Sequence, residues 1–225
     1  MGIIKETIFG YSSLGVYLTI NNNFMLYPQG LSDTKIESYK TPFPKEFSLY
    51  PFSLNSSSLL GTYIVMNSRG IIVPEIILDS EMDALKDITD ELGYNIGVMS
   101  CHDNAFGNLI LTNDKGAVIS TLLKSQVKEV RDVLDVEVLI LDYANSKYPG
   151  SAGLTNNSGC CVHPIVKEEE VEMIGDVLKV DIDVSTINLG NPFIHAGAVV
   201  NDYGGIFGRD SSGPEMMRLT NVLKF

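Results

Sequence analysis

The sequence predicts an α+β protein built from five copies of one unit and closed into a ring. Three observations carry this. An asparagine-led turn recurs five times, a glycine precedes each turn, and a helix-forming segment follows. The turns read NNNF at 21, NSRG at 67, NDKG at 113, NNSG at 156 and NDYG at 201. Their first asparagines are 46, 46, 43 and 45 residues apart. The preceding glycines, Gly15, Gly61, Gly107, Gly153 and Gly197, lie 46, 46, 46 and 44 apart. Two markers on one period of this length indicate a repeat architecture or a propeller.

Each element of the unit has its own signal. LTNDKGAVI, from Leu111 to Ile119, reads as a hairpin, with Asn113, Asp114 and Gly116 suited to left-handed backbone at the bend. After the second turn, Met82, Leu85, Ile88 and Leu92 have helical spacing; after the third, Leu123, Val127, Val130 and Leu134 do. Val171, Ile174 and Leu178 follow the fourth turn. After the fifth, Ser212 and Glu215 have capping-box spacing ahead of Met216, Leu219 and Leu223. The alternating strands YNIGV, VEVLI and VDIDV follow the second to fourth helices. One unit is strand, turn, strand, helix, strand.

A unit of about 45 residues cannot bury its own apolar face, so the copies must share a core. The chain reaches Phe225 on the fifth helix, and the segment IIKETIF is a spare strand near the start. It is expected to complete the fifth unit and close the ring. The units are expected at about 11–57, 58–103, 104–149, 150–193 and 194–225, the last completed by 1–10, in a single domain over 1–225. The first unit is the weakest copy. Phe24 stands in place of the turn glycine, and KIESYKTPFPKEF is a poor helix containing Pro42 and Pro44.

Composition narrows the function. The sequence has no apolar run long enough to span a bilayer and no secretory pattern, which predicts no membrane role and a cytoplasmic location. Three cysteines, two adjacent, do not make a disulfide framework. The net charge is −12, with 16 basic residues and no basic run. Free nucleic acid is a poor partner for such a chain, because binding it depends on Lys and Arg displacing counterions. A basic protein surface is favoured by steering. The alternative is that the acidity serves solubility alone.

Candidate chemistry is sparse. Cys101 with His102, Cys160 with Cys161, His163 and His195 could form a nucleophile–base pair across the ring. The plain alternative is small apolar cysteines packed in strands, with Cys160 and Cys161 pointing to opposite faces, one in and one out. Spacing of the CxxC or HExxH type is absent, so no metal site is expected. GRDSSG at 208 precedes a helix, where an anion could sit, but Ser212 as a simple N-cap explains it. Residues following the repeat glycines, Val16, Thr62, Asn108, Leu154 and Ala198, should occupy equivalent places. Thr62 and Asn108 are the polar exceptions.

Four segments resemble the archaeal type of translation initiation factor 6, a ribosome anti-association factor family. They are GTYIVMNSRGIIVP at 61, FGNLILTNDKGAVIS at 106, GLTNNSGCCVHP at 153 and HAGAVVNDYGGIFGRDSSGPE at 195. The resemblance covers essentially the whole chain. It implies the pentein fold, five ββαβ-like units about a pseudo-fivefold axis. It implies a steric activity without a cofactor or bond-making step. The protein, as a monomer, would cover the intersubunit face of the large ribosomal subunit, with a role extending to that subunit's biogenesis. Its partner there would be a ribosomal protein beside the sarcin-ricin loop, with the loop rRNA as a further contact. Carried over, the binding positions are Gly15, Gly61 with Thr62, Gly107 with Asn108, and Gly150 with Ser151, with Asn113 and Asp114 as lesser candidates. Thr62 stands where relatives carry arginine. The same fold class houses guanidine-modifying hydrolases with a cysteine in the last unit, but Gly197 to Phe225 contains none.

Overall fold

The computed structural model describes residues 2–225. The chain opens with β1 (Gly2–Glu6), passes four times through short helix, strand, strand, longer helix and strand, and a fifth time without the last strand. The first pass is α1 (Leu14–Tyr17), β2 (Thr19–Ile20), β3 (Phe24–Pro28), α2 (Asp33–Lys40) and β4 (Ser48–Phe52). The second is α3 (Leu60–Tyr63), β5 (Val65–Met66), β6 (Gly70–Pro74), α4 (Asp79–Thr89) and β7 (Asn95–Met99). The third is α5 (Phe106–Leu109), β8 (Ile110–Thr112), β9 (Gly116–Ile119), α6 (Val127–Leu134) and β10 (Glu137–Ile140). The fourth is α7 (Pro149–Ala152), β11 (Gly153–Thr155), β12 (Gly159–Val162), α8 (Glu168–Leu178) and β13 (Asp181–Val184). The fifth is α9 (Ile194–Gly197), β14 (Ala198–Val200), β15 (Gly204–Gly208) and α10 (Gly213–Leu223).

Five three-stranded sheets result. In each, the middle strand pairs antiparallel with its hairpin partner and parallel with an outer strand. The fifth pass has no outer strand of its own after α10. There β1 pairs parallel with β15, from Gly2 against Gly204 to Glu6 against Gly208, as the spare-strand reading expects.

The middle strands are buried at every position. The reason is that each longer helix packs on the sheet of the preceding pass. Leu85 of α4 meets Phe24, Leu26 and Phe52, and Val130 and Leu134 of α6 meet Ile72 and Met99. Each longer helix also covers one face of its own sheet, as Ile174 and Leu178 of α8 do for Cys160 and Val162, so a middle strand is sealed on both faces only when the next pass is in place. This corrects one expectation: Cys160 and Cys161 do point to opposite faces, but both are fully buried, because Leu219 and Leu223 of α10 cover the side that Cys161 faces.

The turns also work differently from expectation. Asn113, Asp114, Lys115 and Gly116 all keep negative φ. The bend is made by the asparagine side chain: Asn113 Oδ1 accepts from the amides of Lys115 (2.8 Å) and Gly116 (3.0 Å). All five leading asparagines repeat this pattern. Gly116 is needed for space instead, since a Cβ there would sit 2.0 Å from Val177 O of α8. Left-handed backbone is used in other turns, those leading into the short helices, at Phe9, Asn55, Ser56, Ala144, Asn145, Asn188 and Leu189.

Two helices depart from their spacing. Leu123 lies in a separate 3-10 turn, Thr121–Leu123, ahead of α6. Leu92 lies in the 3-10 turn Asp90–Leu92 beyond α4 and is 47% exposed. The weak helix of the first pass does form as α2, capped by Ser32 and ended before Pro42, with Tyr39 buried and its hydroxyl donating to Thr7 O at 2.9 Å.

Candidate functional site

The short helices bring most of the candidate positions together at one end of the inner strands. A Cβ on Gly61 would lie 2.0 Å from Gly15 O, one on Gly107 would lie 1.9 Å from Gly61 O, and one on Gly150 would lie 2.2 Å from Gly107 O. In four passes the helix therefore stacks on the backbone of a neighbouring pass so closely that only glycine fits. Gly15 completes the series against the carbonyl of His195.

This fixes the repeat register. Gly15, Gly61, Gly107, Gly150 and His195 are equivalent, and their spacings of 46, 46, 43 and 45 match those of the turn asparagines. Gly153 and Gly197, the markers taken from sequence, lie instead at the ends of α7 and α9. Leu154 and Ala198 are accordingly buried strand residues, and the true partners of Val16, Thr62 and Asn108 are Ser151 and Ala196.

The repeat glycines are buried under the neighbouring backbone, so a partner would meet the half-buried residues that follow them. Ser151 Oγ donates to Asn108 Oδ1 at 2.8 Å, joining two candidates across two passes. None of the five short helices contains Asp or Glu. The acidity expected to attract a basic partner therefore lies elsewhere, on segments such as Glu168–Glu170 of α8. Exposed apolar residues border the short helices in the loops leading to them: Phe9, Tyr11, Tyr148, Leu189 and Phe193. Sequence reading misses these, because their turns share no motif as uniform as the asparagine turn.

It also misses the place of His195. The histidine fills the position where four passes have no side chain, and its Nε2 lies 3.4 Å from Gly61 O across the centre. Burial pushes its pKa below the ordinary histidine value, against the opposing pull of the Gly61 and Gly15 carbonyls. Beneath it lies a cavity of about 80 Å³ lined by residues including Thr19, Met66, Thr112 and Leu154.

Asn113 and Asp114 do not join this set. They lie at the opposite end of the inner strands, in the turns. There Asn21, Asn67, Asn113, Asn156 and Asn201 each donate from Nδ2 to the main-chain oxygen of the next, and Asn201 returns to Asn21 (3.1–3.3 Å). The following residues interlock above them. Asp114 Oδ2 accepts from Asn22, Ser68 and Asn157, and Asp202 Oδ2 from Asn22 and Asn157. Asn113 is buried and Asp114 has its acceptors occupied, so both have structural work here.

Among the described residues no cysteine thiol is hydrogen-bonded to a histidine; Cys101 and Cys160 bond main-chain oxygens. Burial pushes the Cys160 and Cys161 thiols well up, Cys161 to about 12, and burial also raises Cys101. His163 packs edge-on against Phe193, not against a thiol. At the start of α10, Ser212 donates its amide and hydroxyl to Glu215 (2.7 and 2.8 Å), so a carboxylate already holds the place an anion would take. Among the described residues no group of three His, Cys, Asp or Glu could hold a metal ion, and no helix is long and apolar enough to cross a membrane.

The model of the eIF-6 family matches residues 3–222. A protein of Methanococcus vannielii named translation initiation factor 6 is 36% identical over 224 residues, 98% of either chain.

The chain belongs to the eIF-6 family.

Relatives with the same name in Pyrobaculum aerophilum and Methanocaldococcus jannaschii are each 33% identical, over 217 and 224 residues, and align over 96–98% of the chains compared. The similarity to this family therefore runs through all five passes.

Proposed function

We propose that the chain is a single-domain, monomeric, cytoplasmic factor that binds the large ribosomal subunit on its intersubunit face and blocks the small subunit sterically. The observation that carries this is the end-to-end match to proteins named translation initiation factor 6. The proposed body is a closed pentein-type ring. The cycle of asparagine bonds and the contact of α9 with α1 support it. The proposed docking surface is the short-helix end, where Thr62, Asn108 and Ser151 are half-buried beside the aromatic border. Such a surface suits steric occlusion, because backbone stacking holds it without moving parts. Interfaces of this kind bury about 1,200–2,000 Å² in total and lean on a few aromatic or polar anchors. No catalytic step is part of the proposal.

The test is sedimentation of the purified chain with each ribosomal subunit, then with both. Migration with the large subunit alone, and fewer joined ribosomes, is expected. Asn108→Arg should weaken large-subunit binding about tenfold or more while leaving the unfolding temperature nearly unchanged. Co-sedimentation equal to the parent would remove the short-helix end from consideration.

A further inference from the structure

The most irregular feature of the repeat is Phe24. At the equivalent position, Gly70, Gly116 and Gly159 lie against the last turn of the next longer helix. A Cβ on them would sit 1.9–2.0 Å from Val133 O, Val177 O and Val222 O. Phe24 carries a whole ring at that place, so α4 cannot approach its sheet as α6, α8 and α10 do. The hydrogen bonding agrees. Asn67, Asn113 and Asn156 each donate to a carbonyl at the end of the neighbouring helix, Leu134, Leu178 and Leu223 (2.8–3.0 Å). Asn21 donates only to Asn67 O, and Asn201, whose neighbour is the short α2, donates only to Asn21 O.

The displaced helix leaves a groove of about 590 Å³ between α4 and the segment leading to β4. Phe24 and Phe47 are buried beneath it, and the tyrosines lining it, Tyr50 and Tyr203, are partly exposed. Phe24 meets Tyr50 and Tyr94 edge to face, at centroid distances of 5.9 and 5.7 Å. Glu46, Asp87 and Glu91 line it, are exposed, and form no ion pair among the described residues. No lysine or arginine lines it. Tyr203, 42% exposed, stands at its edge.

We infer that this groove binds an arginine- or lysine-bearing segment of a partner protein. The rings of Tyr50 and Tyr203 would take the cation, and the three carboxylates would select its charge. The groove opens beside Asn22 and Asn23 at the turn end, away from the short helices, and does not depend on the ribosomal reading.

The test is an NMR titration of the full chain with the peptide acetyl-Gly-Arg-Gly-Arg-Gly-amide, against its citrulline analogue. Saturable shifts at Tyr50, Asp87, Glu91 and Tyr203 with the arginine peptide alone are expected. Glu46→Gln with Asp87→Asn and Glu91→Gln should weaken binding about tenfold, and Tyr50→Leu by a lesser factor. Glu168→Gln with Glu169→Gln and Glu172→Gln removes the same charge on α8 and should change affinity less than about twofold. Equal loss in both triple variants, shifts spread over the acidic surface, or no saturation would overturn the proposal.

Discussion

At the short-helix end the five passes meet through backbone, glycine against carbonyl; at the turn end they meet through asparagine side chains. The same repeat thus uses two chemistries at the two ends of its inner strands. Backbone stacking consumes the glycines but leaves the next residue half-exposed, and there the chain carries Val16, Thr62, Asn108, Ser151 and Ala196. At the turn end the next residues, Asn22, Ser68, Asp114, Asn157 and Asp202, are locked into one another. Variation is cheap at the first end and costly at the second. The proposed ribosome-facing surface therefore sits with the short helices, while the innermost turn residues act as a fastening.

The largest effect should come from Gly61→Ala. The added methyl would need the Gly15 and Leu18 carbonyls to move, since it would sit 2.0 and 2.4 Å from them. A loss of more than about 3 kcal/mol in urea unfolding is expected. A loss under about 1 kcal/mol would show that this end can yield.

Asn113→Ala comes next. It removes donors to Asn156 O and Leu178 O and the acceptor for two amides of its own turn. About 3 kcal/mol should be lost, because buried groups are left unpaired. A Ser at 113 recovering most of that would mean the cycle of asparagines is dispensable.

A smaller, pH-dependent effect belongs to the loops that lead into the short helices. Glu215 ties the 187–191 turn to α10. It accepts from Thr186 Oγ1, the amides of Leu189 and Gly190, and Ser212. Burial alone would raise its pKa, but these donors outweigh it and bring it to about 2. Glu81, which holds the 54–57 turn, is also lowered, again by hydrogen bonds acting against burial. Carboxylates depressed in the folded state stabilise above their unfolded value, near 4.5, and that contribution fades as pH falls toward 2. Acid titrations of stability should show this slope for the parent, and a flatter one for Glu215→Gln. Parallel curves would place the acid sensitivity elsewhere.

The smallest effect expected is from Asp114→Asn, roughly 1 kcal/mol, measured by thermal unfolding. The amide keeps the shape but loses part of the shared acceptor set around Asn22 and Asn157.

Much of the frame is legible in the chain's own spacing. The asparagine turns locate all five passes, because an asparagine that bends its own turn and joins its neighbour cannot be exchanged freely. The spare strand can be placed because α10 leaves a sheet without its third member. The register of the glycines is not legible in the fourth and fifth passes. Gly153 and Gly197 stand nearby, and no local rule says which glycine faces a carbonyl from another pass. His195 is hidden for the same reason. Its role depends on four absences elsewhere in the chain.

By itself the sequence determined the unit, its fivefold recurrence and the family, since all of these reside in spacing and local propensity. Tertiary structure alone decided that both cysteines are sealed, that Asn113 fastens while Asn108 faces out, and that Phe24 wedges α4 away from its sheet. Each of these depends on which neighbour's atoms occupy a space only a few ångströms wide, and chain order does not encode that directly.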